Sequence, residues 1–324
     1  MFALNAVSPI ILMVAIGYVL KRMHFLKIEL AKQLNKLVFR FFLPVMLFLN
    51  VYKIDALESI SFGYMIYALV GVVALFALSL PVVLLVTSKR ERRGAIWQAC
   101  FRSNYALIGI PLAQSLCAEE GVAVASLLSA ATVPLLNVLA VIALSVFRTG
   151  GEKPSLKKIL LGIIKNPLIQ SIFLGIAVLC IRRIFKQQAI AFRLSDIKPI
   201  YTVLGYLSSL ATPLALLSLG AQFEFSAIAS LRKEITVGTL MRTVVSPILG
   251  LGIAIIFFRD TFSAAQMASL VAVFATPVSV SSAPMAQEMG GDAALAGQLV
   301  VWSTLASSLS IFLTSFFLSL AGVF

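Results

Sequence analysis

The dominant feature of this chain is a series of apolar stretches, each long enough to cross a membrane. A bilayer core of about 30 Å requires about 20 apolar residues in a helix, and polar breaks divide the sequence into ten such stretches. Their approximate spans are 4–21, 33–52, 62–87, 95–117, 121–147, 158–181, 200–222, 235–258, 264–288 and 293–320. The pattern predicts an all-α integral membrane protein with ten transmembrane helices.

The composition agrees with this class and excludes several others. Of 324 residues, 60% are hydrophobic and 12% are charged, whereas soluble domains carry about 25% charged residues. The net charge of +13 is interpreted as loop-end Lys and Arg that orient the helices, and no nucleic-acid partner is predicted. Three cysteines without metal-ligand spacing predict neither a metal site nor a cofactor.

Basic residues orient the predicted helices. The odd-numbered connections contain 19 Lys and Arg residues and the even-numbered connections contain 7. The positive-inside rule then places the odd connections in the cytoplasm and both termini outside. The sixth connection disagrees, because it carries five basic residues on the predicted external side.

The two halves of the sequence indicate an internal repeat. Three proline pairs recur in one order at offsets of 158, 169 and 166 residues: Pro9 with Pro167, Pro44 with Pro213, and Pro111 with Pro277. The alternative is that prolines simply recur in membrane helices.

A repeat unit of five helices has an odd number of crossings, so its second copy must be inverted in the bilayer. The predicted organisation is a first repeat over 1–147, a cytoplasmic connection over 148–157, and an inverted second repeat over 158–324. Inverted repeats are typical of alternating-access carriers.

Helices four and nine are each interrupted by a proline in matching places, within Asn104–Pro111 and Ala275–Ser282. Proline frees backbone groups that lipid cannot satisfy, so such a break survives only when buried in protein or facing a wet cavity. Paired broken helices mark the substrate site in many transporters. The sequence therefore predicts that helices four and nine cross at a binding site.

The candidate site residues are those near the breaks, with one polar residue of helix five. They are Ser103, Asn104, Tyr105, Gly109, Pro111, Asn137, Thr276, Pro277, Ser279, Ser281 and Ser282. Half-helices that start at the two prolines would offer free amides and positive dipole ends to an anion, and the amide and hydroxyl side chains can donate hydrogen bonds. The alternative is that Asn104, Asn137 and the serines only mend the backbone or join helices, and that Gly109 and Pro111 only shape the chain.

Charged residues are predicted to lie outside the membrane core. All thirteen acids fall in connections or at predicted helix ends, and the single histidine, His24, lies in the first connection. This pattern disfavours a proton relay through a buried acid. Arg102 and Arg242, near the cytoplasmic starts of their helices, are predicted to snorkel to the surface; the alternative is attraction of an anion at the inner mouth.

Several segments together resemble bacterial members of the auxin efflux carrier family, relatives of the plant PIN exporters, over essentially the whole length. They are Phe41-Phe-Leu-Pro44, Asn104 with Ile108-Gly-Ile-Pro111, Asn166-Pro167, Pro213 to Gly220, Arg242 with Pro247, and Pro277 with Ala286 and Glu288. The segment from Asn104 to Pro111 is the most specific.

The resemblance implies two inverted five-helix repeats, a scaffold of helices one, two, six and seven, and an elevator-type transport domain of helices three to five and eight to ten. It also implies transport of small organic anions, auxin-like or malate- and malonate-like, across a bacterial inner membrane, with Asn104 meeting the substrate carboxylate. The residues Val278 to Ser282 differ from the plant pattern, so substrate identity does not transfer. The long cytoplasmic loop of plant members is absent.

The favoured hypothesis is a carrier of small carboxylates that works by export or facilitated transport, with the lipid bilayer as its other partner. The alternatives are a sodium- or proton-coupled symporter of the bile acid type and a membrane receptor without transport. An enzyme is disfavoured, since the spans contain no catalytic cluster. The coupling ion, the direction of transport and the formation of a homodimer stay open.

Overall fold

The computed structural model describes residues 2–53, 62–148, 161–188 and 192–324, and its regular structure is helical apart from one isolated bridge. The α-helices are α1 Phe2–Arg22, α2 Ile28–Leu37, α3 Leu43–Tyr52, α4 Phe62–Val86, α5 Arg90–Phe101, α6 Ile110–Val146, α7 Pro167–Gln187, α8 Lys198–Gln222, α9 Ala227–Leu240, α10 Ser246–Phe258, α11 Ala264–Phe274, α12 Ser282–Met289 and α13 Ala293–Leu320. Except for Arg148, the predicted connection 148–157 lies outside the described residues, as does the predicted start of the sixth stretch at 158.

Seven helical stretches of the described residues are long and apolar enough to cross a bilayer. They are Ile28–Tyr52, Gly63–Val86, Tyr105–Val146, Pro167–Phe185, Lys198–Gln222, Ala227–Phe258 and Ala293–Leu320. The helix Ala264–Phe274 is apolar but shorter. The chain is therefore an all-helical, multi-pass membrane protein, as the apolar stretches predicted.

Prolines shape the helices by widening single turns. Three π-helical turns, Val38–Phe42, Tyr105–Gly109 and Met241–Val245, each end two residues before a proline. Proline lacks an amide hydrogen and its ring collides with the carbonyl four residues earlier, so a wider turn relieves the collision. Before Pro247 that carbonyl belongs to Thr243, and the Ser310 hydroxyl donates to it.

The helices pack as two groups. One group joins α1, α2, α3, α7 and α8, and the other joins α4 to α6 with α9 to α13. Glycines bring α1 and α8 together: a Cβ on Gly17 would lie 2.2 Å from Leu217 O, and one on Gly220 would lie 2.0 Å from Val14 O. Small residues let membrane helices approach closely enough to gain van der Waals contact.

One acidic residue lies deeper than predicted. Glu234 is buried two turns inside α9, because this helix begins at Ala227 and not near residue 235. Arg92 pairs with Glu234 at 2.8 Å and with Asp292 at 3.4 Å. The prediction that every acid lies in a connection or at a helix end is wrong for Glu234, which is retained because a basic residue compensates it.

Candidate functional site

The two interrupted segments meet inside the protein and pair through their backbones. The Asn104 amide donates to Pro277 O at 2.8 Å, the Ser279 amide donates to Arg102 O at 3.2 Å, and Ser103 forms an antiparallel bridge with Val278. Each extended segment thereby satisfies backbone groups that its own helix has released. The predicted contact between the two breaks is present in the structure.

The breaks do not begin at the prolines themselves. The first break lies at Arg102–Asn104, after α5 ends at Phe101, while Pro111 lies in α6 with its side chain exposed. The second break runs from the end of α11 to Ser282, five residues beyond Pro277. The prediction that half-helices start at the two prolines is therefore wrong.

Arg242 satisfies the backbone on the helical side of both breaks. Its side chain is 0% exposed and donates to Phe101 O at 3.1 Å, to Thr276 O at 2.7 Å and to Val273 O. Phe101 and Val273 lie at the C-terminal ends of α5 and α11, and Thr276 follows the end of α11 by two residues. The helix dipole favours a positive charge at these ends. The prediction that Arg242 snorkels to the surface is wrong, because these acceptors hold it in the interior.

Arg102 is the second buried cation and is 2% exposed. Its guanidinium donates to Asn137 Oδ1 at 2.8 Å, to Ser281 Oγ at 2.6 Å and to Ser282 Oγ at 3.2 Å. All these acceptors are neutral. Within the described ranges, the recorded ion pairs of acidic side chains involve only Arg40 and Arg92.

The predicted surface position of Arg102 is also wrong, for a geometric reason. α5 begins at Arg90, so Arg102 lies twelve residues along it (102 − 90), or about 18 Å at 1.5 Å per residue. A side chain at that depth cannot reach the water beyond the start of its helix.

A cavity of about 70 Å³, called here the central cavity, lies beside the meeting point and between the two helix groups. Its lining residues are Leu43, Met46, Leu47, Asn50, Arg102, Ser103, Asn104, Tyr105, Ala106, Leu107, Val133, Leu136, Asn137, Leu168, Ala211, Thr212, Ala215, Ser279, Val280 and Ser281. The polar wall is thus built mainly from the two breaks and α6, and the apolar wall mainly from α3 and α8.

Two donors on the cavity wall have no hydrogen-bond partner in the described part of the chain. They are the Ser103 hydroxyl and the Asn104 side-chain amide nitrogen, on residues that are 4% and 6% exposed. A buried donor without an acceptor is unfavourable by about 1–3 kcal/mol. Together with Arg102, these groups form a cluster of donors that an anionic acceptor would satisfy.

The other predicted site residues divide between the cavity wall and its support. Tyr105 lines the cavity, but its hydroxyl donates to Ala125 O at 2.9 Å. The five predicted residues that do not line it are Gly109, Pro111, Thr276, Pro277 and Ser282.

Pro277 and Ser282 accept the hydrogen bonds described above, and Gly109 and Thr276 also have visible structural roles. A Cβ on Gly109 would lie 2.9 Å from Ala272 Cβ, so glycine permits close packing of the π turn on α11. The Thr276 hydroxyl donates to Ala272 O at 2.7 Å. Gly109 and Thr276 therefore support the break. The sequence pattern could not distinguish such supporting residues from ligands.

A larger cavity of about 240 Å³, called here the second cavity, lies where α2, α8, α9 and α13 approach one another. Its lining includes the exposed Lys32 and the α12 residue Ala283, two positions after Ser281 of the central cavity. Across the two helix groups, Gln287 accepts from Asn35 at 3.0 Å and donates to Lys32 O at 3.1 Å. The lining of the second cavity includes neither Arg102 nor the unpaired donors of Ser103 and Asn104. The central cavity is therefore the stronger candidate site.

Sequence reasoning missed three polar residues of the central cavity: Arg102, Asn50 and Thr212. Asn50 and Thr212 could have been found from the proline repeat, since each lies on a predicted helix close to Pro44 or Pro213. Among the described residues, no group of three His, Cys, Asp or Glu side chains could hold a metal ion.

Comparison with known proteins shows the family to which this chain belongs. The model of a family described as membrane transport protein matches residues 2–315. An uncharacterized transporter of Methanothermobacter thermautotrophicus is 24% identical over 313 residues, covering 95% of each chain. The chain therefore belongs to this membrane transport protein family, which is the auxin efflux carrier family.

Proposed function

We propose that the protein is a secondary carrier of small organic anions and that the central cavity binds the substrate carboxylate. One observation carries the proposal: among the residues that the structure describes, a buried arginine without an acidic partner shares the cavity wall with two unpaired donors. A buried charge is unfavourable in free energy unless a counter-charge or strong hydrogen bonds compensate it, and an unpaired buried donor is unfavourable without an acceptor. A carboxylate supplies both, and it fits the planar fork of a guanidinium.

The volume of the central cavity favours a short acid. A cavity of about 150 Å³ holds a benzene molecule, whereas the central cavity measures about 70 Å³. In this conformation it admits a carboxylate with a short chain and excludes an indole ring. A malonate-like substrate is therefore preferred over an auxin-like one.

The arrangement of the helices supports an elevator mechanism. We assign α1, α2, α3, α7 and α8 to the scaffold and the remaining helices to the mobile domain, as two inverted five-helix repeats with ten crossings. The central cavity lies between these groups. In this scheme we assign the second cavity, lined by Ala283 two residues after Ser281, as its route to water. Movement in this scheme separates Gln287 of α12 from Asn35 of α2.

In this proposal the protein lies in a plasma membrane with both termini outside, so the second cavity opens to the cytoplasm. Lys32, at its rim, then attracts anions from the cytoplasmic solution. This placement agrees with export or facilitated movement of the anion.

Binding and uptake by the purified chain test the proposal. Malonate, malate and indole-3-acetate are screened for thermal stabilisation, since a ligand stabilises the form that it binds. Labelled acids are then offered to proteoliposomes that contain the wild type or Asn104→Ala. Loss of the Asn104 donor should weaken affinity about tenfold or more without loss of folded protein.

The matched control is Ser209→Ala, on the exposed side of α8, which should bind and transport like the wild type. Stabilisation without uptake would assign a receptor and reject the carrier. Equal affinity in a folded Asn104→Ala variant would reject the proposed site.

A further inference from the structure

The centre of the proposed mobile domain carries positive charge that the acids of the described residues do not neutralise. Arg102 and Arg242 are both buried, and their recorded acceptors are hydroxyls, amides and backbone carbonyls. Within the described ranges, neither residue appears in an ion pair. Arg242 donates to three backbone carbonyls, all of which belong to its own helix group. The charge of Arg102, by contrast, borders the cavity that receives the substrate.

This charge makes the empty and loaded domains unequal in their ability to cross the membrane. In a state open to either side, bulk water can reach the cavity that Arg102 borders. In the closed crossing state of this scheme, the central cavity is cut off from bulk water on both sides. An ionised group is then desolvated without a counter-charge, whereas a bound carboxylate compensates it.

We propose that the protein is an anion exchanger: the central cavity crosses the membrane readily only when a small organic anion is paired with Arg102. This inference rests on the proposed carrier function and specifies its mode of transport. Net movement of an anion requires the empty domain to return, and exchange avoids that step. One acid leaves as another enters, and for acids of equal charge no net charge crosses.

The test compares uptake into loaded and unloaded vesicles. The full-length protein is reconstituted, and labelled malonate is added outside vesicles that contain either unlabelled malonate or osmotically matched sucrose buffer. The cost of carrying the buried Arg102 charge across without a counter-charge predicts initial uptake about a hundredfold faster, or more, into the malonate-loaded vesicles. A potassium diffusion potential should leave the loaded rate unchanged.

Variants of Arg102 separate its charge from its shape. Arg102→Lys keeps the charge and should retain the advantage of loaded vesicles at lower affinity. Arg102→Gln should slow uptake and bring the loaded and unloaded rates together. Arg232→Gln, at an exposed position of α9, is the control and should keep the wild-type ratio.

The outcomes distinguish the two proposals. Equal, Asn104-dependent uptake into loaded and unloaded vesicles would overturn exchange and leave the carrier function standing. Absence of uptake of malonate, malate and indole-3-acetate under both conditions would overturn the carrier function and exchange with it. If Arg102→Gln does not fold, the wild-type ratio alone decides.

Discussion

The same substitution should affect stability very differently at the two buried arginines. Arg242→Met removes the donor to three buried carbonyls, those of Phe101, Val273 and Thr276. Each unpaired buried acceptor is unfavourable by about 1–3 kcal/mol, which gives about 3–9 kcal/mol in total. Because the variant also avoids burying a charge, we expect the lower end, about 3 kcal/mol.

Arg102→Met should change stability much less. Its acceptors include the Ser281 hydroxyl, which already exchanges a hydrogen bond with Ser279 at 2.9 Å. Hydroxyls can reorient, and removal of an unpaired buried charge is often neutral or stabilising. We expect a change within about 1 kcal/mol and a complete loss of carboxylate binding.

The assay is thermal unfolding in detergent, followed by size-exclusion chromatography of the protein that remains folded. A loss of about 3 kcal/mol corresponds to a midpoint lowered by about 6 °C. Arg242→Lys should fall between the wild type and Arg242→Met, since a compact ammonium cannot reach all three carbonyls. The reasoning is refuted if Arg242→Met unfolds within about 1 °C of the wild type, or if Arg102→Met is the less stable variant.

Three further substitutions test particular contacts. Tyr105→Phe removes a hydroxyl that donates to a carbonyl of α6, so unfolding should become easier by about 1 kcal/mol while carboxylate affinity in a thermal-shift titration stays unchanged; reduced affinity would instead make the hydroxyl a ligand. Gly220→Leu forces side-chain atoms into the α1 backbone and should abolish the folded peak in size exclusion, whereas Gly205→Ala, with open space around it, should be neutral or slightly stabilising. Glu234→Leu leaves the partly buried Arg92 without its closest partner and should lower stability by about 2 kcal/mol. Adding Arg92→Leu should recover part of that loss, and strictly additive effects in the double-mutant cycle would contradict the pairing.

The sequence predicted the meeting of the two broken helices because proline has a local and unavoidable effect. A missing amide hydrogen inside an apolar stretch marks where regular helical bonding fails. It does not mark where the chain becomes extended. Around Pro111 a π turn absorbs the defect and the helix continues. The extended residues Arg102–Asn104 depend on pairing with Val278 and its neighbours, a contact between distant positions that no local pattern contains.

The burial of Arg102 and Arg242 is not evident from the sequence, because hydropathy alone places the start of each helix too late along the chain. Arg90–Arg93 were assigned to a connection as a run of charges, yet they form the first turn of α5. Arg92 is compensated by Glu234 and Asp292, and Arg90 and Arg93 donate to backbone carbonyls. These tertiary partners make charged residues acceptable in the helix and move Arg102 further from its start.

The contrast between Arg242 and Arg102 explains why one broken region can provide both stability and a binding site. Arg242 is bound by backbone carbonyls, which are part of the fold and cannot be displaced without unfolding the helix ends. Arg102 is bound by side-chain hydroxyls and an amide, which can turn aside when a stronger acceptor arrives. In the proposed site a carboxylate is such an acceptor, and it would also satisfy the donors of Ser103 and Asn104. The positive centre therefore combines a fixed cation held by the fold with a second cation that, in our proposal, a bound anion compensates.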